Sequence, residues 1–320
     1  MSRCSISHRP EHAQGYPRSR GFTLIELMIA MVLGLIVVAG VSSIFLANQQ
    51  TYRSNEALSE VQDGARTSFE MLARDVRAAG LAGCNTTSGR GVFAAAGYAA
   101  NWYTDWGTTK VLLGYDNATT DPAITGLTGN GAPVAGTSSV HILSTDAISA
   151  VVDTDSGSLI TTNEASGDLQ NGDVIMVCDD EQSTLLTISA LSGKSVTVEA
   201  HAHTFARSSP IAKLTAHVWY IGTNPLGGKS LYRLAMTNTG GVIGATPQEI
   251  VRNATDLQIR YLQPAVGNSF IAVSSVTDWA AVLSAQMTLT LQSTFQRAGT
   301  DSKPLTRQFT STATVRNRVL

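Results

Sequence analysis

The sequence predicts an α+β protein: one long N-terminal helix, its first half suited to a membrane and its second half amphipathic, packed on a mainly antiparallel β-sheet head. Three observations carry that expectation. Leu27 to Ala47 is an uncharged run of 21 residues. No proline lies between Pro17 and Pro122, and apolar residues recur every three or four positions from Leu58 to Ala79. Beyond residue 139, short β-rich runs alternate with turn residues. Helix first and strands afterwards suits a helix laid on a sheet, not the alternating units of a parallel one.

Residues 1–21 are polar and contain Arg3, Arg9, Arg18 and Arg20. The uncharged run that follows is long enough, at about 1.5 Å per residue, to span a hydrocarbon core of about 30 Å. A secretory signal ends its apolar region at a small-residue cleavage site; here the last small residue before the run is Gly21, on the opposite side. Arginines ahead of the span and a long remainder after it predict a cytoplasmic N-terminus, with residues beyond about 48 outside the cytoplasm. Glu26 stands out, because a carboxylate in a membrane helix costs up to a few kcal/mol depending on depth. Either it lies at the interface, or it finds a positive partner in the bilayer or in an assembly.

The helix is expected to continue from Phe22 to Ala79, with Leu58, Val61, Ala65, Phe69, Leu72, Val76 and Ala79 forming one stripe. Arg53, Glu56, Glu60, Asp63, Arg66, Glu70, Arg74, Asp75 and Arg77 are assigned to the other faces. Gly80 and Gly83 supply the stop, and Gly34, Gly40 and Gly64 are points of weakness. Residues 85–136, rich in Gly, Ala, Thr and Asn, read as an irregular insertion. The clearest strands are Val140–Leu143, Asp173–Cys178, Leu185–Ser189, Ser195–Val198, Leu214–Ile221, Leu231–Met236, Leu257–Tyr261, Met287–Thr294 and Phe309–Val315. A short helix over Asp278–Leu283 would be capped by Thr277 or Asp278.

The chain of 320 residues is 43% hydrophobic and 14% charged, with a formal net charge of −2. That balance excludes general disorder and argues against a protein that coats nucleic acid. The charge is segregated: residues 85–206 carry a net −10 and residues 207–320 a net +7. Either the two portions neutralise each other within one head, or they steer partners.

Arg20-Gly21-Phe22-Thr23-Leu24-Ile25-Glu26, followed by the apolar run, resembles the type III signal of type IV prepilins and type II secretion pseudopilins. The resemblance implies cleavage after Gly21 by a prepilin peptidase and N-methylation of Phe22. It also implies pairing of Glu26 with a neighbouring subunit's terminal amine during assembly. It divides the chain into a leader over 1–21 (longer than most leaders of this class), a transmembrane and assembly helix over 22–48, its amphipathic half over 49–83, and a β-rich head over 84–320. Leu72-Ala73-Arg74-Asp75-Val76-Arg77-Ala78-Ala79-Gly80, Ser230-Leu231-Tyr232-Arg233, Ile250 to Gln258, and Thr314-Val315-Arg316-Asn317-Arg318 look like landmarks of PilW-type minor pilins. That family implies a single-pass inner-membrane protein with a periplasmic head that enters a fibre near its tip. Its partners would be minor and major pilins, the prepilin peptidase, the inner-membrane assembly platform and a tip adhesin. The J-type pseudopilin of type II secretion shares the layout and is the nearest alternative. An adhesive or DNA-binding tip module is another, for which the +7 portion gives slight support.

Cleavage would remove Cys4 with the leader and leave Cys84 and Cys178, outside the cytoplasm where disulfides persist. A bridge between them would close a loop of about 100 residues, worth up to ~4–5 kcal/mol on a chain-entropy model; two buried thiols are the alternative. Other patterns lead nowhere firm. Gly228-Lys229-Ser230 lacks the earlier glycine of a phosphate-binding loop and reads as a hairpin turn from Asn224. His201 and His203 have no further ligand at metal-site spacing. Asp153, Asp155 and Glu164 occupy the first, third and twelfth positions of an EF-hand-like loop, but Gly157 and Ser158 replace its fifth-position ligand and turn glycine, leaving a weak calcium candidate. No nucleophile-elbow, Cys-x-x-Cys or zinc-protease motif occurs, so neither enzymatic activity nor a cofactor is expected.

Overall fold

The computed structural model describes residues 21–81, 92–94, 101–104, 106, 111–296 and 303–318. Residues 1–20 of the leader, Gly83 and Cys84 lie outside the described residues. The chain forms two compact units, Met1–Tyr52 and Arg53–Leu320, each taken by itself below.

One helix, α1 (Leu24–Ala78), runs through both stretches of sequence, starting two residues after the expected Phe22. In the first unit its apolar side chains are open to the surroundings: Leu27, Val32, Ile36 and Val41 are all more than half exposed. In the second unit the helix buries Ala57, Val61, Ala65, Ser68, Leu72, Ala73, Asp75 and Val76. The buried stripe is therefore rotated from the expected one, since Leu58 and Phe69 are only half-buried. The reason is steric. Closest approach of a helix to a sheet falls to small residues, and at Gly64 an added Cβ would stand 3.0 Å from Val251 Cγ1. Large apolar residues flank that contact line. Gly80 ends the helix in the left-handed region (φ +72), donating its N–H to Leu143 O at 2.8 Å and accepting from Asn317 Nδ2 at 2.9 Å.

The head is mostly antiparallel sheet. In chain order the strands are β1 (Val92–Ala94), β2 (Leu112–Tyr115), β3 (Ser139–Asp155), β4 (Leu159–Thr162), β5 (Val174–Cys178), β6 (Ser183–Ser192), β7 (Ser195–Val198), β8 (Pro210–Thr223), β9 (Lys229–Thr239), β10 (Val242–Arg252), β11 (Ala254–Leu262), β12 (Ser284–Gln292) and β13 (Thr306–Thr314). β1 to β10 form one ten-stranded sheet and β11-β12-β13 a separate three-stranded one. β1 pairs parallel with β6; the other pairings are antiparallel. Within the larger sheet β3 pairs with both β4 and β8, so β3-β4-β7-β6-β5-β8 closes on itself as a six-stranded barrel. Irregularities at Thr145/Ile148 and Ile148/Ala150 break the β3–β8 register, the usual device for bending a strand round a barrel.

Two main cores follow. The barrel encloses Val152, Ile160, Ile175, Val177, Leu186, Ile188, Val196 and Ile211, with Phe205 from the β7–β8 loop among them. The helix–sheet seam unites Val61, Ala65, Leu72 and Val76 with Leu112, Ile142, Trp219, Leu257, Tyr261 and Leu289. Every strand expected from sequence lies on an observed one, with ends shifted at β12 and β13. The expected short helix is a 3₁₀ turn, Trp279–Ala281, capped by Asp278.

The segment 85–136 is a correction. It contributes β1, β2 and a 3₁₀ turn (Ala118–Thr120), and it buries Trp106, Leu112, Ala118 and Ile124; Gly-, Ala- and Thr-rich composition hid these short elements. β4 and β10 were also not anticipated. β10 contains Pro247, which only an edge position tolerates, and it is indeed the edge of its sheet. Both charge portions supply strands to that same sheet, and Arg207–Asp153 (2.9 Å) and Lys213–Asp173 (3.1 Å) pair across the division. That arrangement matches neutralisation within one head.

Candidate assembly site

At its start, α1 carries a reciprocal cap. Thr23 Oγ1 accepts from the Glu26 N–H at 3.2 Å, while Glu26 Oε2 accepts from the Thr23 N–H and the Thr23 hydroxyl, both at 2.9 Å. This is a capping box, and it occupies two of the orphan donors that every helix start exposes. Sequence reasoning singled out Glu26 for its charge and missed Thr23, although Thr-x-x-Glu before an apolar run is a legible signal. Gly21 is exposed and Phe22 is 89% exposed, so the bond between them is open to a protease and the Phe22 nitrogen would be free after cleavage. The helix beyond is long and apolar enough to cross a membrane. Among the described residues the geometry thus presents, in order, an accessible peptide bond, a carboxylate bonded to its own cap, and an exposed apolar surface.

A second carboxylate on the same helix is placed differently. Asp75, assigned above to a solvent-facing charged side, is only 9% exposed. Its Oδ2 accepts from Trp219 Nε1 at 2.8 Å and lies 3.2 Å from His217 Nδ1 and 4.0 Å from Arg233 Nη1. Arg233 reaches over the Trp219 ring and donates from Nη2 to Gln248 Oε1 at 2.9 Å. A cavity of about 410 Å³ opens beside this group. Nothing local reveals Asp75's role, because its partners are some 140 residues away in sequence. In space, however, two of the sequence landmarks meet the helix end, where Asp75 lies near Arg233 and Asn317 holds Gly80, while Val251 packs further up the helix beside Gly64 and Leu257 lies in the seam.

The remaining candidates are dispersed. Asp153 pairs with Arg207, and Glu164 is exposed. Asp155 accepts from Gly157 N (2.8 Å), Phe205 N (2.8 Å) and His201 Nε2 (3.0 Å). Burial would raise its pKa, but these hydrogen bonds outweigh burial and hold it below the ordinary value. His203 bonds a different carboxylate, Asp179, at 2.6 Å. The two histidines therefore serve separate aspartates. Among the described residues no group of three or more His, Cys, Asp or Glu side chains is arranged to hold a metal ion. Gly228-Lys229-Ser230 leads out of the β8–β9 hairpin, whose turn is organised by Asn224 Oδ1 accepting from Leu226 N (3.0 Å) and Gly228 N (2.9 Å). Cys178 is fully buried at the end of β5.

A family model described as the prokaryotic N-terminal methylation motif matches residues 16–42. The "Pilin-like protein PilA3" of Thermus thermophilus is 34% identical over 61 residues, covering 19% of this chain and 26% of that protein. The chain thus spans about a quarter of the length of the curated relative it matches. No solved structure matches the chain. What these findings and the fold together show is a type IV pilin-like N-terminal motif joined to a pilin-like α+β architecture.

Proposed function

We propose that the chain is a minor pilin of the PilW type, a structural rather than catalytic subunit that enters a type IV pilus near its tip. The observation that carries this reading is the methylation motif seated on an exposed apolar helix whose carboxylate, Glu26, is bonded among the described residues to the neighbouring Thr23 alone. In this account the prepilin spans the inner membrane once, with a cytoplasmic leader and a periplasmic head. Prepilin peptidase cuts after Gly21 and the new terminus at Phe22 is methylated. On assembly the apolar stretch exchanges lipid for neighbouring helices, and Glu26 exchanges its cap for a neighbour's terminal amine. The amine is the better partner, because a charge-assisted pair in a low-dielectric bundle outweighs bonds to neutral donors. Partners are other minor and major pilins, the assembly platform and a tip adhesin.

A Cys84–Cys178 bridge belongs to the same proposal. Cys178 is fully buried at the end of β5, and Cys84 is the cysteine that leader removal leaves to pair with it. Two free thiols on non-reducing mass spectrometry of the mature protein would remove the bridge from the account.

Sheared surface fibres test the whole reading. Antibody to the head should detect the wild-type chain in the fibre fraction and lose it in Glu26→Ala, with membrane levels maintained. A wild-type chain confined to the envelope, whose deletion blocks exoprotein secretion, would identify the J-type pseudopilin instead. DNA retention by the purified chain that weakens with rising salt would favour the DNA-binding tip module.

A further inference from the structure

An edge strand presents a row of unused backbone donors and acceptors, which a fold covers, interrupts or offers to another chain. This head treats its edges unequally. On β11, Leu257 O accepts from Ser138 N at 2.7 Å, and Tyr261 exchanges both backbone bonds with Ile271, at 2.8 and 2.9 Å. The three-stranded sheet is therefore covered along that side. β10, at the edge of the larger sheet, is interrupted by Pro247, which has no N–H, and by a register shift between Glu249 and Val251. β13 lies at the open end of the three-stranded sheet and has neither device. It pairs with β12 from Thr306 to Thr314 without a shift, and it contains no proline.

The register shows which groups of β13 are left over. At its two ends Leu305 O accepts from Ser293 N and Val315 N donates to Leu283 O, both at 2.8 Å. Alternate residues of an antiparallel strand direct both backbone groups to the same neighbour, so Arg307, Phe309, Ser311 and Ala313 face β12. Gln308, Thr310, Thr312 and Thr314 therefore direct their N–H and C=O groups outward, and none of those groups has a partner among the described residues. Phe309 is only half-buried against the helix–sheet seam. Charge is confined to the ends. Gln308 to Val315 is uncharged, no acidic residue occurs between 302 and 320, and Arg307 and Arg316 are exposed and in no ion pair among the described residues.

We infer that β13 receives an extended segment of a different polypeptide as an added strand, uncharged and β-prone in its middle, acidic at its ends, with an apolar residue against Phe309. Strand addition takes its affinity from main-chain bonds and its specificity from alternate side chains. A second copy of β13 fits poorly, because basic ends would meet basic ends in either direction. Neither assembly through α1 nor the identity of the fibre enters this inference. Detergent-solubilised full-length protein is mixed with a synthetic peptide of about nine residues, threonine and valine alternating between terminal glutamates, which matches the span of β13. Amide exchange is followed residue by residue. In the free protein Phe309, Ser311 and Ala313 should exchange slowly, and Gln308, Thr310, Thr312 and Thr314 fast. Peptide should saturate below roughly 1 mM and slow the second group about tenfold or more, leaving the first unchanged. The exposed double variant Arg307→Glu/Arg316→Glu should bind this peptide about tenfold more weakly and prefer a lysine-ended one. Thr310→Pro removes an outward donor while sparing the β12 ladder, and should abolish binding. Melting identical to wild type shows that a variant is folded; if the proline variant is not, the charge reversal decides alone. Protection that appears without peptide and grows with protein concentration would make a second copy the occupant and overturn the inference. So would an absence of saturation, protection on β10 instead of β13, or equal affinity of the wild type for the two peptides.

Discussion

Glu26 and Asp75 sit on one helix, and each interrupts an otherwise apolar environment in a different way. Asp75 is enclosed by the head and met by a fixed donor from β8, the Trp219 indole, with His217 Nδ1 3.2 Å away. Among the described residues Glu26 has only Thr23, three residues away, and an exposed apolar surface around it. The first carboxylate has its partners within the fold, as stability demands of a buried charge. The second is provisionally satisfied, as expected of a group whose final partner arrives with another chain. The same contrast runs along the helix, where residues before Tyr52 present large apolar side chains to nothing and those after it pack small ones against a sheet.

The contrast can be broken by substitutions of one kind in the two stretches. Leu72→Ala, in the seam, should lower head stability by about 3–4 kcal/mol through cavity formation, read by urea unfolding followed by tryptophan fluorescence. Leu33→Ala, in the exposed stretch, should leave that curve unchanged; an equal loss would mean that the first stretch is also part of the head's core. Asp75→Ala strips the Trp219 N–H of its acceptor and should cost about 2–3 kcal/mol. Glu26→Ala should not move the unfolding midpoint at all. If instead Asp75→Ala were neutral, the seam cluster would be ornamental and the distinction between the two carboxylates would fail.

How much of this was legible depends on range. Glu26 could be found because it violates its own neighbourhood, and the strands could be found because side chains alternate with period two. Asp75 could not, because among Arg74, Arg77 and Glu70 it reads as one more solvated charge; only the fold brings Trp219 and Arg233 to it. The barrel was hidden for the same reason. Its closure is a property of which strands pair, β3 with both β4 and β8, and β4 is only four residues long. Gly64 and Ala57 show a subtler limit, since a hydrophobicity pattern weights large residues whereas close packing is set by small ones.

Smaller effects sharpen the picture at the helix ends. Gly80→Ala places a Cβ at positive φ and about on top of Asn317 Nδ2, and should cost roughly 1–2 kcal/mol of head stability; no change in the melting temperature would show that the cap does not hold the helix end. Thr23→Val should cost about 1 kcal/mol of helix-start stability, visible as amide-exchange loss confined to the first turn, with the head unaffected. Acid should weaken the barrel. Asp155 and Asp179 have folded-state pKa values below their unfolded ones, because hydrogen bonds, His201 and His203 among the donors, outweigh burial. Their contribution is therefore complete above the unfolded carboxylate value of about 4 and is lost as pH falls through the lower folded values. Unfolding curves recorded between about pH 5 and pH 2 should show that loss in wild type and a shallower one in Asp155→Asn.

The central claim is that this chain begins life with a leader and works with Phe22 as its terminus. N-terminal sequencing and intact mass of the protein recovered from cells with and without a prepilin peptidase test it directly. The account predicts a chain starting at N-methylated Phe22 in the first case and an uncut leader in the second; a chain starting at Met1 in both would contradict it.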